Sequence, residues 1–204
     1  MNVNARTIVN PQEWAKPWQF AEAWPPPAQA TSHATGTDVL DDVPLLYALG
    51  RAVQPAVIVE LGTRHGVSTR TLAFLAQLIG ATFYTVDPDP RCEGFIKDIL
   101  HPEHCIFLNM TGEHAFSAGV TPSPDMLFID TDPHSRRQTI GWLNTWVRTA
   151  LAHKGVAAFH DTAPARPEIE VAQAVREWVI GETGNGYIWR EIPTTYGLGV
   201  LWKK

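Results

Sequence analysis

Residues 59–68 read Val-Glu-Leu-Gly-Thr-Arg-His-Gly-Val-Ser, and this stretch decides the fold. Its first residues close a short apolar run of the kind that forms a buried parallel strand, and residues 67–79 repeat apolar side chains at helical spacing. Between the two, Gly62 and Gly66 let the backbone turn tightly and approach a ligand closely. We therefore expect a ligand on this turn, in the space that a side chain at Gly62 would fill.

Glu60, the acidic residue of this strand, distinguishes between two kinds of ligand. A nicotinamide or flavin dinucleotide site needs three glycines spaced G-x-G-x-x-G, so that pyrophosphate can lie on the helix terminus. Here there are two glycines and a carboxylate, which would repel pyrophosphate but could bind the ammonium group of an amino acid. A plain strand-to-helix turn would explain the glycines but not the carboxylate. Ser68 could bond the free amides of the following helix or the carboxylate of such a ligand.

The rest of the chain alternates strands with helices. Strands are predicted at residues 56–61, 81–86, 105–108, 125–129, 155–159, 187–192 and 199–202. Helices are predicted from residue 39 to near Gly50, and at residues 67–79, 91–100, 136–152 and 168–180. Right-handed crossovers between such strands give a parallel sheet, and the last two strands are close enough in sequence to pair antiparallel. We predict an α/β fold: a Rossmann-like, doubly wound, mostly parallel seven-stranded sheet with an antiparallel last strand and helices on both faces.

Composition limits the classes of partner. The chain has 204 residues, of which 45% are apolar and 18% charged, so it can form one domain with a sizeable core, assigned to residues 36–204. It has no apolar run of the roughly 18 residues that span a bilayer, and no signal-peptide pattern. The net charge of -5 argues against nucleic acid, and two cysteines make no disulfide framework. These features predict a cytoplasmic protein with a small-molecule partner, and no nucleic-acid or membrane partner.

Residues 1–35 are interpreted as an N-terminal arm. Its tryptophans and its Phe20 alternate with prolines, which forbid a regular helix or central strand. The arm is expected to pack on its own domain or on a second subunit, as in a homo-oligomer. The alternative is a lid over a substrate pocket.

Asp87 supports the choice of ligand independently. It ends the second predicted strand, 25 residues after Gly62. An acidic residue at this place accepts hydrogen bonds from two ribose hydroxyls. Together with Glu60 it predicts a ligand with both a nucleoside and an amino-acid group.

Two further strands end in acidic and histidine residues. The fourth runs into Asp130 and, four residues on, His134; the fifth runs into His160 and Asp161. We expect Asp130, Asp161 and His160 to hold a divalent cation. Carboxylates suit magnesium, whereas His160 favours manganese or zinc. The alternative is that the carboxylates only cap helices and bond loop amides.

Catalysis is assigned to Asp130 and His134. A bound cation would hold two adjacent substrate oxygens and lower the pKa of one of them. His134 is the predicted base, because the ordinary pKa of histidine suits proton removal near neutral pH. Five other histidines show no partner at ligand spacing and are given no role: His33, His101, His104, His114 and His153.

These motifs resemble a known family. The segments VELGTRHGVSTRTLA, TVDPD, DMLFIDTDPHS and GVAAFHD occur in the order found in class I S-adenosylmethionine (SAM)-dependent methyltransferases. Within that superfamily they are similar to the small O-methyltransferases of the catechol and macrolide-sugar type and to cephalosporin-hydroxylase-like proteins. The resemblance covers residues 38–202.

The resemblance implies SAM as the cofactor, with adenine near residues 109–113. The implied cofactor-binding residues are Glu60, Gly62, Thr63, Gly66, Ser68, Asp87, Thr111 and Asp130. In catechol-type relatives the positions of Asp130, Asp161 and Thr162 hold the metal, the last normally as asparagine. The lysine base of those relatives is replaced here by Pro133, and the position of His160 is usually acidic in the hydroxylase-like proteins.

The function predicted from sequence is methyl transfer from SAM to an oxygen of a small molecule, assisted by a divalent metal. Two alternatives stay open. One is transfer to nitrogen or carbon without a metal, and the other is a SAM-binding protein without turnover.

Overall fold

The computed structural model describes residues 39–163, 168–181 and 184–204. The predicted N-terminal arm lies outside these residues. The strands are β1 Val57–Leu61, β2 Thr82–Val86, β3 Cys105–Leu108, β4 Met126–Ile129, β5 Val156–Phe159, β6 Tyr187–Ile192 and β7 Leu198–Lys203. The helices are α1 Val43–Val53, α2 Val67–Ile79, α3 Arg91–Ile96, α4 Gly112–Ala118, α5 Arg136–Trp142 and α6 Val171–Ile180.

The strands form one seven-stranded sheet in the order β3-β2-β1-β4-β5-β7-β6. The first five strands of this order are parallel, and β7 runs antiparallel to both β5 and β6. This confirms the predicted fold class, including the antiparallel last strand. The strand order reverses between β1 and β4, so the carboxyl ends of these two strands border the crevice in which such sheets bind ligands.

Side chains alternate between the two faces of the sheet, and each face buries its own core. One core contains Ile58, Phe83 and Phe128 and packs against α1 and α2. The other contains Val59, Leu127 and Phe159 and packs against α6 and the segment after α5. The central strands are buried on both faces, which explains why they appear in the sequence as continuous apolar runs.

Four helices differ from their predicted bounds, one of them only at its start, since α6 begins at Val171 and not at residue 168. The first continues past Gly50 to Val53, so Gly50 does not end the helix. A Cβ at Gly50 would lie 2.0 Å from Cδ2 of Leu75, so this glycine permits close packing of α1 on α2. The third is six residues long, and the predicted helix over residues 136–152 becomes π-helical at Leu143–Ala150.

One helix was not predicted. Helix α4 begins after Thr111, whose hydroxyl accepts a hydrogen bond from the amide of His114 at 3.2 Å. None of the helices in the described ranges combines the length and apolar character needed to cross a bilayer.

Gly62 permits the close approach of the ends of β1 and β4. Its φ is +97°, and a Cβ there would lie 1.8 Å from the carbonyl oxygen of Asp130. A side chain at Gly62 would therefore first meet the neighbouring strand end, and the close approach of a ligand to this glycine stays a prediction.

We expect Gly62→Ala to lower the free energy of unfolding by about 2–5 kcal/mol, the sum of left-handed backbone strain and forced overpacking. Gly80→Ala is the matched control, because Gly80 also has a positive φ (+69°) but no atom within 4 Å of its Cβ position. The control should lose about 1–2 kcal/mol. Urea denaturation of both variants measures the difference, and equal losses would show that the close approach does not require glycine.

Candidate active site

The glycine-rich turn is held by backbone hydrogen bonds. The amide of Gly62 donates to the carbonyl of Val86 at 2.9 Å, and the amide of Gly66 donates to Thr63 at 2.8 Å. Gly66 has a φ of +79°, and a Cβ there would lie 2.3 Å from Cγ2 of Ile96. The turn is thus fixed between β1 and α2.

Asp87 ties the end of β2 to this turn. Its Oδ2 accepts hydrogen bonds from the amides of Thr63 at 2.9 Å and Arg64 at 3.1 Å. Its Oδ1 accepts one from the amide of Asp89 at 2.9 Å. The structure therefore gives Asp87 an architectural role that sequence reasoning missed; the predicted contact with a ribose stays a prediction.

Glu60 is completely buried between β1, β2 and α2. Its Oε2 accepts hydrogen bonds from the hydroxyls of Thr69 at 2.7 Å and Thr85 at 2.6 Å. Burial raises the pKa of Glu60 to about 7, against the opposing effect of the neighbouring hydroxyl groups. Its Oε1 is buried and has no partner with hydrogen-bond geometry in the described residues.

The remaining predicted cofactor residues surround this turn. Thr63 is buried, and its hydroxyl lies 2.6 Å from that of Thr85. Ser68 is buried in the first turn of α2, where Gly66 is the capping residue and no side chain caps the helix. Asn109 joins the region of Thr111 to β2, since its side-chain amide donates to the carbonyl of Asp87 at 3.1 Å.

Asp130, His134 and Asp161 form a cluster that we call the acidic triad. One potential ligand atom from each lies within 4.8 Å of the other two. Nε2 of His134 is 2.9 Å from Oδ2 of Asp161 and 3.7 Å from Oδ1 of Asp130. The shorter contact is close in distance but not aligned as a hydrogen bond.

The backbone of the acidic triad is strained. His134 and Asp161 have φ values of +50° and +59°, which are uncommon for residues other than glycine. Strained backbone is often found at functional sites, where the surrounding structure stabilises it.

His160 lies outside this cluster and contacts another carboxylate, so its role as a metal ligand stays a prediction. Its Nδ1 lies 2.7 Å from Oδ2 of Asp42, and both side chains are buried. Its Nε2 is 3.9 Å from Asp161. Burial lowers the pKa of His160, but the surrounding carboxylates, Asp42 first among them, raise it to a net value above the ordinary one. His134 supplies the imidazole of the cluster instead.

His134, the predicted base, lies between carboxylates. Its Nδ1 lies 3.2 Å from Oδ1 of Asp132, so both ring nitrogens face carboxylates. Burial lowers the pKa of His134, but Asp130 and Asp161 outweigh it and raise the pKa to about 10. A pKa above neutrality favours the protonated imidazole, which must lose its proton before it can act as a base, so the catalytic role of His134 stays a prediction.

A cavity of about 400 Å³ opens beside these residues, between α4 and α5. Its lining includes Glu113, Pro133 and Trp142. The indole of Trp142 donates to the hydroxyl of Thr131 at 3.1 Å and lies against Gly112, where a Cβ would be 2.8 Å from Cη2 of the ring. The cavity borders residues 109–113, the predicted adenine region.

Solved structures share this architecture over nearly the whole chain. An O-methyltransferase from Bacillus cereus in complex with S-adenosylhomocysteine (SAH) is 14% identical, with 98% of this chain and 94% of that chain covered and a TM-score of 0.65. The O-methyltransferase TomG from Streptomyces achromogenes, involved in tomaymycin synthesis and in complex with SAM, is 14% identical, with coverages of 97% and 92% and a TM-score of 0.62. An SAH-bound methyltransferase from Podospora anserina is 13% identical, with coverages of 96% and 89% and a TM-score of 0.61.

At these identities the structures show a common fold. No curated protein matches the sequence. The model of a family described as a methyltransferase domain matches residues 59–162, just over half of the chain. That range contains the glycine-rich turn, Asp87 and the acidic triad. The chain therefore belongs to this methyltransferase family and is a SAM-dependent methyltransferase of the class I fold.

Proposed function

We propose that the protein transfers the methyl group of SAM to an oxygen of a small molecule, with a divalent cation on the acidic triad. One observation carries this proposal: Gly62 of the glycine-rich turn, which we call the cofactor turn from here on, lies against the backbone of Asp130. A donor held on the turn and an acceptor held on the triad would be neighbours. Such proximity is the main contribution a protein makes when the cofactor supplies the activated group.

The cofactor residues have distinct tasks in this proposal. Glu60, whose Oε1 has no hydrogen-bond partner in the described residues, would receive the ammonium group. Asp87 would receive the ribose hydroxyls with the lone pairs that its three amide contacts leave free. We place adenine in the cavity beside Glu113.

The acidic triad suits a hard or intermediate divalent cation. Two carboxylates and one imidazole favour manganese or magnesium over zinc. Nε2 of His134 would be a nitrogen ligand once the cation displaces its proton, so ion binding would release a proton. A cation there would lower the pKa of an acceptor hydroxyl bound to it, so that the hydroxyl would give its proton to water. The oxygen would then take the methyl group from the sulfonium of SAM, and SAH would be the leaving group. Asp130, whose side chain is 19% exposed, is the triad member nearest to solvent, so the acceptor would approach from its side.

An oxygen acceptor is favoured by the comparisons, since the similar proteins from Bacillus and Streptomyces are named O-methyltransferases. Compounds with two adjacent hydroxyl groups are the first acceptors to test, because both oxygens can reach one cation. Transfer to nitrogen or carbon without a metal, and SAM binding without turnover, are separated from this proposal by the metal experiment below.

Glu60→Gln tests the buried carboxyl. Between the ordinary pKa of 4.5 and the folded-state pKa of about 7, the unfolded chain loses its proton and the folded chain does not. The contribution of Glu60 to the free energy of unfolding is therefore fully present below pH 4.5. It is lost as the pH rises toward about 7, by on the order of 3 kcal/mol. We expect Glu60→Gln to gain stability relative to wild type between about pH 5 and about pH 8 in urea denaturation without ligand. A constant difference would contradict the buried titration.

Asp87→Asn tests the ribose contact. The affinity for SAM should fall by about 10- to 150-fold, equivalent to roughly 1.5–3 kcal/mol for hydrogen bonds to a charged group. Asp89→Asn is the control, because Asp89 lies in the same loop and pairs with the exposed Arg91. Isothermal titration with SAM, and with NAD as a negative control, measures both. Unchanged affinity in Asp87→Asn, or saturable binding of NAD, would overturn the placement of the cofactor.

Asp161→Asn tests the cation. Tag-free protein should bind one Mn²⁺ ion, detected by titration calorimetry or electron paramagnetic resonance, and the variant should lose at least about tenfold in affinity while keeping SAM binding. Asp89→Asn is the control, because Asp89 lies outside the triad and pairs with the exposed Arg91. With vicinal diol acceptors, chelation should abolish methyl transfer. Transfer that survives chelation would support the metal-free alternative, and Mn²⁺ binding equal in both variants would remove the ion from the triad.

A further inference from the structure

A second group of metal-binding side chains lies at the other end of the sheet. His101, Glu103 and His104 precede β3, whose carboxyl end leads into Asn109. Because β3 is parallel to β2, this group lies at the edge opposite the cofactor turn. The sequence predicted no role for these histidines, because they show no partner at ligand spacing.

The loop brings the three side chains together. One potential ligand atom from each lies within 4.8 Å of the other two. The loop is a tight hairpin, in which His101 and Cys105 exchange two backbone hydrogen bonds of 2.9 Å. Pro102 further restricts the backbone of the loop. The backbone that carries the three ligands is therefore held in place before any ion arrives, while the exposed side chains of His101 and Glu103 can adjust to it.

The distance between the imidazoles fits a shared ion. The ring centroids of His101 and His104 are 5.1 Å apart, with 20° between the ring planes. Two imidazoles on one tetrahedral ion, with metal–nitrogen bonds of about 2.0–2.1 Å, place their centroids roughly 5 Å apart. The amide of Glu103 donates a long hydrogen bond of 3.3 Å to Nδ1 of His101. An ion on Nε2 would place the ring proton on Nδ1, so only this weak hydrogen bond would be lost when the ion binds.

A cavity of about 490 Å³ adjoins the group and is lined by both histidines. Its walls include Phe74, Leu100 and Cys105, and an ion pair between Arg70 and Asp98 at 2.7 Å borders it. Three protein ligands beside an open cavity leave a fourth coordination position for water or a small anionic ligand.

We propose that His101, Glu103 and His104 form a transition-metal site of the zinc class, with its open coordination position at the cavity. Two imidazoles and one carboxylate prefer zinc, copper or nickel. The acidic triad has the opposite balance, with two carboxylates and one imidazole. The two sites therefore differ in metal preference, and this site does not depend on the proposed methyl transfer.

The experiment is a Zn²⁺ titration of the full chain without a histidine tag, by calorimetry or competition with a chromophoric chelator. All variants carry Asp161→Asn, so that the acidic triad does not contribute. The test variant adds His101→Asn and His104→Asn, and the matched control adds His153→Asn, an exposed histidine in another turn. Thermal unfolding without metal verifies that each variant is folded.

We expect one equivalent of Zn²⁺ in the Asp161→Asn parent and in the control, and at least a tenfold loss of affinity in the test variant. Zn²⁺ should raise the melting temperature of the parent and not that of the test variant, because an ion that binds only the folded state stabilises it. The proposal is wrong if the parent binds no Zn²⁺, if the test variant binds as tightly as the parent, or if the control loses binding equally.

Discussion

The close approach of the β1 and β4 strand ends is the constraint on which the site depends. These strands flank the point where the order of the sheet reverses, and Gly62 is the residue that lets them meet. The contact aligns the cofactor turn with Asp130, and the register of β4 with β5 brings Asp161 to the same edge. The backbones of Gly62 and Asp130 are thus in contact, although the two residues are 68 positions apart in sequence.

Two buried or partly buried carboxylates stabilise the backbone and side chains around the glycine-rich turn. Asp87 binds the amides of the glycine-rich turn, while Glu60 is buried under hydroxyl groups. Burying a carboxyl group is costly unless it is neutral or well paired, which explains why the pKa of Glu60 rises to about 7. A cationic ligand group would supply the missing partner, so the energetic cost present in the free protein would favour binding.

The fold could be predicted because its signals are local. Buried parallel strands are apolar runs, helices repeat at their own period, and glycines mark most turns. Gly50 is an exception: it looks like a helix end, but it permits the packing of α1 on Leu75, a contact between elements. The strand ends likewise predicted Asp130 and Asp161 correctly as neighbours, because parallel strands end at one edge.

The position of His134 beside the two aspartates, with His160 outside their cluster, could not be predicted from sequence. It depends on the left-handed backbone at Asp161 and on Asp42, which is 118 residues from His160. The group of His101, Glu103 and His104 could not be predicted for a similar reason, since its geometry comes from a hairpin bridge between His101 and Cys105. In each case the missing information is a contact, not a residue type.

The pairing of Asp42 with His160 has a consequence for how this sequence can change. Loss of one member leaves the other buried without its partner, at a cost of about 3–5 kcal/mol, whereas replacing both by apolar residues of similar volume can be close to neutral. Positions 42 and 160 are therefore expected to covary among related sequences. A histidine conserved for this reason would look like a catalytic residue in an alignment, although its selective constraint comes from the charge facing it across the core.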